Sequence, residues 1–359
     1  MTALDELAIA FVDVASPSRE ERALADLVEE RLMAAPHLSV TRIGDNVVAR
    51  TTHGRARRVV VAGHLDTVAT GEAGARVEGR VLWGLGSADM KGTLAAMLLL
   101  AEQLEEPPVD LTWVFYAREE IGRSESGLLE ISEVDASLLA GEVAILGEPT
   151  DGFLEAGCQG TLRMSISLVG VAAHTARPFM GVNAIHRAAP LLAALAEAGA
   201  SPRVARIDDV DFAEQIQVVG ITGGGAGNVV PDRVTVVVNH RFAPDRTLAE
   251  AEAWVRGIIA PHLDPSVGDA AVLVDGADGA APHLHHPVLA RLTELAGHRV
   301  RAKVGWTDVA TFAALGVPAA NFGAGDPLVA HHPDERVDLD SLAAVHQVLL
   351  DLLSDPSLA

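Results

Sequence analysis

Acidic residues and one histidine lie at the predicted carboxyl ends of several strands. They follow apolar runs such as "RRVVVAG", "LTWVFYA" and "VAILG", or precede a strongly apolar helix in "GSADMKG". The residues concerned are His64, Asp66, Asp89, Glu119, Glu120 and Glu148. In open α/β sheets, ligands bind just beyond the carboxyl ends of the strands. One imidazole among several carboxylates is a donor set that suits zinc, cobalt or manganese, so these residues predict a divalent-metal site.

The spacing of His64 and Asp66 in "HLD" favours a metal-binding histidine with its own carboxylate partner. Residues two apart on an extended chain point to the same side, so Asp66 can orient the ring of His64. A carboxylate that accepts a hydrogen bond from the far ring nitrogen is the usual partner of a metal-binding imidazole. Taken alone, the pair also fits a histidine–aspartate contact in a loop, and the other acids favour the metal.

The acids are too many for a single ion. A zinc ion takes about four ligands, and two ions that share a bridging carboxylate would account for the excess. A second histidine is then required. The loop "GAGDPLVAHHPDERVD" supplies His331 and His332 after the apolar run "PAANFG", at another predicted strand end.

The composition is that of a globular protein with two domains. The chain has 359 residues, of which 49% are hydrophobic and 21% charged, and its net charge is −22. This charge disfavours nucleic acid and anionic membranes as partners. We find no uncharged apolar run of about eighteen residues, and the N-terminus reads as a helix rather than a secretion signal. The single cysteine, Cys158, excludes an internal disulfide, fits a reducing cytoplasm and reads as a packed side chain rather than a catalytic thiol.

Periodicity predicts an α/β domain interrupted by an inserted α+β domain. In residues 1–160, short apolar strands alternate with helices, which indicates a mostly parallel sheet covered on both faces. Residues 161–278 change to a β-α-β-β-α-β order that resembles a ferredoxin-like unit, and residues 279–359 return to the first pattern. Ser18 and Glu21 have the spacing of a capping box and predict the start of a helix.

Two other segments look like binding sites but favour simpler interpretations. "PHLHHP" contains His283, His285 and His286, and it reads as an exposed loop before a helix. "GITGGGAGN" lacks the lysine and hydroxyl residue of a phosphate-binding loop, so a wide turn between strands is favoured. The absence of a G-x-S-x-G segment weakens any serine-hydrolase interpretation.

Eight short segments, in this order, resemble the zinc-dependent aminoacylase/carboxypeptidase (M20) family of metallopeptidases. They are "GHLDTV", "WGLGSADMKG", "AREEIG", "LGEPT", "GVAAHTARP", "NVVPD", "HRF" and "HHPDER", and they span residues 63 to 336. Each is weak alone, whereas eight in register are specific. The resemblance implies a catalytic α/β domain with two divalent metal ions, zinc or alternatively cobalt. It also implies an inserted lid and dimerisation domain in a cytoplasmic homodimer.

The resemblance further implies a role for each matching metal ligand. The implied ligands are His64, Asp89 and Glu148 for one ion, and Asp89, Glu120 and His331 for the other. Asp89 would bridge the two ions. His331 is favoured over His332 because the family's last histidine stands four residues before a glutamate, here Glu335.

The remaining implied residues act on the substrate. The implied catalytic residues are Glu119 as general base, Asp66 as the partner of His64, and His174 in "GVAAHTARP". His174 would reach across the dimer to polarise the scissile carbonyl. The implied substrate-binding residues are Asn228, Arg241 and Thr307, and closure of the inserted domain would bring the first two towards the metals. A surface salt bridge is the alternative for Arg241.

Two longer segments narrow the implied reaction. "GEPTDGFLEAGCQGTLR" and "GWTDVATFAALGVPAANFGAGDP" are similar to an actinobacterial branch that hydrolyses N-succinyl-LL-2,6-diaminopimelate to succinate and LL-2,6-diaminopimelate. That reaction belongs to lysine and cell-wall precursor biosynthesis. Proteobacterial members carry an arginine where this chain has Cys158 and Gln159. A related substrate therefore stays open: N-acetylornithine, another N-acyl amino acid or a dipeptide. A non-catalytic binding protein, or a serine or cysteine hydrolase, is the alternative from another class.

Overall fold

The computed structural model describes residues 1–69 and 74–359. The helices are α1 (Ala3–Asp13), α2 (Arg22–Met33), α3 (Gly92–Gln103), α4 (Gly127–Asp135), α5 (Ala184–Ala200), α6 (Leu248–Ile259), α7 (Pro287–Leu295), α8 (Val309–Ala314) and α9 (Leu339–Leu353). The strands are β1 (Ser39–Ile43), β2 (Asn46–Arg50), β3 (Arg58–His64), β4 (Arg76–Glu78), β5 (Val81–Trp83), β6 (Asp110–Tyr116), β7 (Val143–Leu146), β8 (Leu154–Ala156), β9 (Gly160–Val169), β10 (Val204–Ile207), β11 (Val210–Ala213), β12 (Gln215–Gly223), β13 (Arg233–Phe242), β14 (Ala270–Ala277), β15 (Val300–Ala302), β16 (Ala319–Asn321) and β17 (Arg336–Asp338).

The chain divides into two compact units. The first unit contains residues Met1–Gly157, Pro282–Arg301 and Thr307–Ala359, and the second contains Cys158–Ala281 and Ala302–Trp306. The inserted domain expected at residues 161–278 lies within the second unit. No helix in the described ranges is long and apolar enough to cross a lipid bilayer.

The first unit is built around an eight-stranded sheet with the order β1-β2-β6-β3-β7-β16-β8-β15. Its central neighbours β6, β3, β7 and β16 pair in parallel, as the alternating pattern predicts. The pairs β1–β2, β2–β6 and β16–β8 are antiparallel. The prediction of a parallel sheet is therefore right for the centre, which carries the site, and wrong for "NVVART", because β1 and β2 form a short hairpin.

The core of the first unit explains the long apolar runs of the sequence. Every residue of β6 is buried, as are all but the first residue of β3. Helix α3 is buried over most of its surface, and α1 and α9 pack against it. A helix that is apolar all round has this position because no face of it is suited to water. This packing fixes the carboxyl ends of the central strands, which the acidic residues follow.

The second unit has the predicted ferredoxin-like arrangement. Its four-stranded antiparallel sheet has the order β12-β13-β9-β14, and α5 and α6 connect the strands. Burial alternates along β9 and β13, with one face packed in an apolar cluster beneath α5 and α6. This alternation is typical of a sheet with one covered face. The hairpin β10–β11 was not predicted, because its strands have only four residues each and each contains a charged residue.

The capping box expected at Ser18 and Glu21 is wrong. Helix α2 starts at Arg22, and the side chain of Glu21 makes no capping hydrogen bond to it. Ser18 Oγ instead donates to Asp66, and Glu21 accepts from the N–H groups of Arg19 and Arg118. A true capping box begins α1, where Thr2 and Asp5 cap one another.

Candidate active site

Asp66 fixes the backbone of the two adjacent glutamates. The strand β6 ends at Tyr116, and the following turn carries Glu119 and Glu120. The backbone N–H of Glu119 donates to Oδ1 of Asp66 and that of Glu120 donates to Oδ2, each at 3.0 Å. Ser18 Oγ donates to Oδ2 of the same carboxylate at 2.7 Å. The buried Asp66 therefore holds the backbone of both glutamates beside the carboxyl end of β3.

His64, the last residue of β3, has one ring nitrogen committed and one directed at an acid. Its Nδ1 lies 2.9 Å from the main-chain oxygen of Asp66, and this contact requires a proton on Nδ1. Its Nε2 lies 3.0 Å from Oδ1 of Asp89. Asp66 thus contacts the ring of His64 through its main-chain oxygen and not through the carboxylate that the sequence suggested. Its carboxylate, 3.6 Å from Nδ1, is occupied by the two backbone amides.

Asp89 presents one carboxylate oxygen to each of two histidines. Oδ1 faces His64, and Oδ2 lies 3.4 Å from Nε2 of His331. Burial alone would raise the pKa of Asp89, but hydrogen bonds from His331 and His64 hold it well below its usual value. A carboxylate placed between two imidazoles in this way is suited to bridge two cations.

His331 faces the site and His332 does not. Nε2 of His331 lies 2.7 Å from Oε1 of Glu120, whereas Nδ1 of His332 accepts a hydrogen bond from the N–H of Asp334. The contacts with Asp89 and Glu120 raise the pKa of His331 to about 10. Its side chain is 48% exposed, so the site is accessible to solvent from this side.

The described residues include two overlapping groups with the composition of metal sites. Within each group, ligand atoms lie within 4.8 Å of one another. The groups are His64, Asp89 and Glu148, and Asp89, Glu120 and His331. A third combination, His64 with Glu119 and Glu120, meets the same distance criterion. The first two groups share Asp89, which directs one carboxylate oxygen at His64 and the other at His331. The donors of these two groups fit two divalent cations.

Glu119 differs from the other acids in its surroundings. Burial and the nearby charge of Glu148 raise its pKa well above the usual value. It is absent from the two overlapping groups that share Asp89. A carboxylate next to a metal site, with a pKa moved towards neutrality, is placed to accept and return a proton.

A glutamate in the C-terminal loop holds the turn that carries Asp89. The buried Oε1 of Glu335 accepts the backbone N–H groups of Ala88 and Asp89, each at 3.0 Å. Lys91 follows the same turn, and its Nζ donates a hydrogen bond to the carbonyl of Val14 at 2.6 Å, which ties the turn to the end of α1. The loop that supplies His331 therefore also positions the acid that His331 faces.

Met90 packs between two glycines that each precede an implied ligand. A Cβ on Gly63 would lie 2.4 Å from Cε of Met90, and one on Gly147 would lie 2.5 Å from the same atom. Gly63 precedes His64, and Gly147 precedes Glu148. The close approach of Met90 to both backbones brings the three segments together, which explains the glycines at these positions.

His174 and Asn228 are brought together within the second unit. The N–H of Thr175 donates to the carbonyl of Asn228, and His174 pairs with Val229 in an isolated bridge. Nδ1 of His174 accepts a hydrogen bond from the N–H of Ala176 at 3.0 Å. In the neutral ring the proton must then be on Nε2, which makes this exposed nitrogen a hydrogen-bond donor.

The other residues singled out from the sequence have varied surroundings. Arg241 lies on β13 opposite Thr161 of β9. Thr307 is buried in the first unit, where its hydroxyl accepts a hydrogen bond from Nδ2 of Asn321 at 3.2 Å.

Cys158 is fully buried, and Gln159 donates from Nε2 to the carbonyl of Ala213. Gln159 is thus committed to a structural contact.

The histidines of "PHLHHP" contribute to none of the acid and histidine groups found in residues 1–69 and 74–359. They lie in the loop before α7, where His283 and His285 are exposed. His286 is 3.5 Å from Glu142. The loop interpretation therefore agrees with the structure.

Three contacts of the site were missed in the sequence. They are made by Ser18, Glu21 and Glu335, whose partners lie 48, 97 and 246 positions away. For Ser18 and Glu21 the only sequence signal was their spacing, which local capping explained equally well. Glu335 was noted only for its spacing from His331, and that spacing did not reveal its contact with Asp89. Contacts of such long separation depend on the fold.

A cavity of about 380 Å³ opens beside the candidate metal ligands of the first unit. It is lined by Arg76, Trp83, His331, His332 and Glu335, among others. The guanidinium groups of Arg76 and Arg336 lie 4.9 and 5.0 Å from the centre of the Trp83 ring. A space of this size next to a polar site is sufficient for a small-molecule ligand.

Comparison with known proteins identifies relatives over almost the whole chain. A Mycobacterium tuberculosis protein provisionally named succinyl-diaminopimelate desuccinylase is 46% identical over 346 residues, which cover 96% of each chain. Succinyl-diaminopimelate desuccinylase of Corynebacterium glutamicum is 40% identical over 352 residues, covering 96% of this chain and 94% of that protein. The structure resembles that of a tripeptidase from Staphylococcus aureus, with a TM-score of 0.80, 20% identity and coverage of 99% and 98%.

The family match extends over the site as well as the fold. The sequence model described as Peptidase family M20/M25/M40 matches residues 60–355. That range begins within β3 and contains the implied ligands from His64 to His331. The fold class and the family predicted from the motifs are thereby confirmed. The chain belongs to Peptidase family M20/M25/M40.

Proposed function

We propose that this protein is an amidohydrolase that converts N-succinyl-LL-2,6-diaminopimelate into succinate and LL-2,6-diaminopimelate. The observation that carries the hydrolytic part is the Asp89 carboxylate, with one oxygen towards His64 and the other towards His331. The substrate is supported by the names of the relatives that are 46% and 40% identical. The reaction would serve lysine and cell-wall precursor biosynthesis in the cytoplasm, in keeping with a single buried cysteine.

Two divalent ions, zinc or alternatively cobalt, are the cofactors that the donor set supports. His64, Asp89 and Glu148 would hold one ion, and Asp89, Glu120 and His331 the other. When bound, such ions lower the pKa of water and stabilise developing negative charge on a carbonyl oxygen. They also offset the local excess of carboxylates, so an anionic substrate can approach this acidic protein.

Glu119 is the general base in this proposal. A water oxygen attacks the succinyl carbonyl carbon, and the water proton passes to the carboxylate of Glu119. The C–N bond then breaks, and Glu119 returns the proton to the nitrogen of the leaving amine. Burial keeps its pKa high enough for both transfers. Asp66 holds Glu119 towards the site through its backbone N–H.

His174 is the proposed donor to the carbonyl oxygen. Its Nδ1 is occupied by the N–H of Ala176, so Nε2–H is available and stabilises the charge that develops on that oxygen. We propose that His174 acts in the site of the partner in a homodimer formed through the second unit. Exposed apolar side chains lie in the neighbouring segments, namely Val171, Phe179, Met180, Val182 and Val229, the bridge partner of His174. Such a patch is typical of an interface.

Asn228, Arg241 and Thr307 are the proposed substrate-binding residues. Asn228 supports this role by lying beside His174 in the second unit. Proteobacterial members have an arginine where this chain has Cys158 and Gln159. Both residues are buried, Gln159 donates to the carbonyl of Ala213, and neither offers an equivalent charge. This enzyme must therefore bind the substrate carboxylates with other donors, of which Arg241 is the proposed one.

Hydrolysis assays with purified, zinc-loaded protein test the proposed function. We expect turnover of N-succinyl-LL-2,6-diaminopimelate to exceed that of N-acetylornithine, N-acyl amino acids and dipeptides, and to be lost with a chelator. Preferential turnover of another acylated amino acid would replace the substrate but keep the reaction class. Fewer than one metal per chain with no hydrolysis would support a binding protein. Inactivation only by serine or thiol reagents would refute the metal mechanism.

A further inference from the structure

The backbone N–H groups of residues 118–120, which follow β6, all donate hydrogen bonds to one of two buried carboxylates. The N–H groups of Glu119 and Glu120 donate to Asp66, and that of Arg118 donates to Oε1 of Glu21 at 3.1 Å. Glu21 is fully buried although it lies in the N-terminal segment, 97 residues from Arg118. A carboxylate is buried at such a place only when it satisfies polar groups.

Glu21 accepts from two residues with the same unusual backbone conformation. Its Oε1 also accepts the N–H of Arg19 at 2.9 Å. Arg19 has φ of 77° and Arg118 has φ of 63°, both in the left-handed region that residues other than glycine avoid. The carboxylate of Glu21 therefore stabilises the turn at Arg118, and this turn directs the chain from the end of β6 into Glu119.

The same N-terminal segment reaches the second carboxylate. Ser18 Oγ donates to Oδ2 of Asp66, the oxygen that also accepts the N–H of Glu120. Ser18 and Glu21 thus hold the backbone of residues 118–120 from two sides, one directly and one through Asp66. Neither side chain belongs to the groups of potential metal ligands within the described ranges.

We propose that Glu21, supported by Ser18, is a positioning residue that fixes the direction of the general base Glu119. The inference rests on the proposed function, which assigns the proton transfers to Glu119. Glu148 and Glu120 carry like charge near Glu119 and the ring of His64 acts in the opposite sense, so a fixed backbone is needed to keep the carboxylate in one place among them. A displacement of about 1 Å can reduce the rate about 100-fold, because proton transfer requires a fixed distance and angle.

The experiment compares Glu21→Ala and Glu21→Gln with a matched control at the other end of β6. Glu21→Gln keeps an acceptor, because a side-chain amide oxygen at this position can still accept both N–H groups. The control is Asp110→Ala. Asp110 is also a buried carboxylate, and it accepts the backbone N–H groups of His53 and Arg55, each at 2.9 Å, far along the strand from the glutamates.

We expect Glu21→Ala to lower kcat about 10- to 100-fold with a change in KM below about threefold and with unchanged metal content. Glu21→Gln should keep kcat within about threefold of the wild type. Asp110→Ala should lower the melting temperature but leave the kcat of the folded enzyme unchanged. An equal loss of kcat in Asp110→Ala, or a wild-type kcat in Glu21→Ala, would overturn the proposal.

Amide hydrogen exchange separates this proposal from the proposed function. In a peptide covering residues 117–121, Glu21→Ala should exchange faster than the wild type, whereas Asp110→Ala should not. This measurement needs no substrate. If the wild type hydrolysed none of the acylated amino acids, the proposed function would fail while the exchange data still decided the role of Glu21. Unchanged exchange in Glu21→Ala would refute the positioning role on its own.

Discussion

Glu119 and Glu120 are neighbours in the sequence, yet their side chains have different surroundings. Glu120 lies 2.7 Å from His331, within a group that could hold a metal ion. Glu119 is half-buried, and its pKa is raised by loss of solvent and by the nearby charge of Glu148. Because Asp66 accepts both backbone N–H groups, the chain can present the two carboxylates in different directions. The arrangement favours one ligand and one base.

This division predicts that two isosteric substitutions have different consequences. Glu119→Gln should lower kcat about 100- to 10,000-fold, the usual contribution of a general base, while two metals remain bound. Glu120→Gln should lose one ion, because the site shared with His331 loses a ligand. Metal analysis after dialysis, combined with kcat at saturating zinc, distinguishes them. Equal metal content and equal rates in the two variants would contradict the assignment.

The histidines predict release of protons when metal binds. Burial would lower the pKa of His64, but contacts with Asp66 and Asp89 raise it well above 6.5, and the pKa of His331 is raised to about 10. The ring of His331 is therefore protonated at neutral pH in the metal-free protein, and the ring of His64 is shifted towards its charged form. A metal requires the neutral imidazole. We expect about one proton or more to be released per chain when both sites fill at pH 7.5, with His331 as the source of the first.

Calorimetry in buffers of different ionisation enthalpy measures this number, and release of no protons would contradict it.

The same pKa values set how the stability of the metal-free protein depends on pH. A raised histidine pKa stabilises the fold fully below about 6.5, and this contribution is lost as the pH rises through about 10 for His331. Unfolding midpoints of the metal-free protein should therefore fall over this range.

At the scale of elements, the loop between β16 and β17 has two tasks. It supplies His331, and through Glu335 it accepts the backbone N–H groups of the turn that carries Asp89. Removal of this acceptor leaves two buried N–H groups unpaired and frees the turn. We expect Glu335→Ala to weaken metal binding about 10- to 100-fold, the usual effect of losing a group that orients a ligand.

Titration of the metal-free variant with zinc gives this affinity, and Asp338→Ala is a matched control. Asp338 also accepts two backbone N–H groups, at the start of α9, but it is exposed and its partners carry no ligand. Loss of this cap should cost about 1 kcal/mol of stability and leave metal affinity unchanged. Comparable losses of affinity in both variants would show that Glu335 acts only through general stability.

The elements show what the sequence could and could not predict. Continuous apolar runs identified β3, β6 and β7, because parallel strands buried on both faces must be apolar throughout. The apolar run of β2 did not reveal its direction, since an antiparallel strand inside the same sheet needs similar residues. The strands of the hairpin β10–β11 are only four residues long, and burial alternates along them, so they gave no continuous apolar run.

The residues of the site divide in a similar way. Motifs placed His64 and Glu120 at strand ends and Asp89 just before a helix. The groups that hold their backbones could not be identified, because their partners are distant. Glu21 carried no signal beyond a local cap, and the spacing of Glu335 from His331 did not indicate its partners; only the folded chain places these acids against Arg118 and Asp89.

At the scale of the whole molecule, the division into two units separates the proposed chemical roles. The proposed metal ligands and Glu119 belong to the first unit, whereas His174, Asn228 and Arg241 belong to the second. In the proposed homodimer, each site combines Glu119 of one protomer with His174 of its partner. Such a site requires two chains, so defects in different chains can compensate for one another.

This arrangement predicts complementation between two inactive variants. Homodimers of Glu119→Gln and of His174→Asn should each have little activity. A heterodimer, purified through a different tag on each chain, has one site with both residues intact. It should show about half of the wild-type kcat per dimer, because one of two equivalent sites functions. The measurement is the initial rate of the tandem-purified heterodimer at saturating substrate and zinc.

The control heterodimer combines Glu119→Gln with Glu120→Gln, two residues that belong to the same unit. Each of its sites contains one defect, so it should remain inactive. If His174 acted within its own chain, the first heterodimer would likewise have one defect in each site and would stay inactive. Activity in the first and not in the second therefore requires that His174 is supplied by the partner protomer, and a monomer in solution would exclude it.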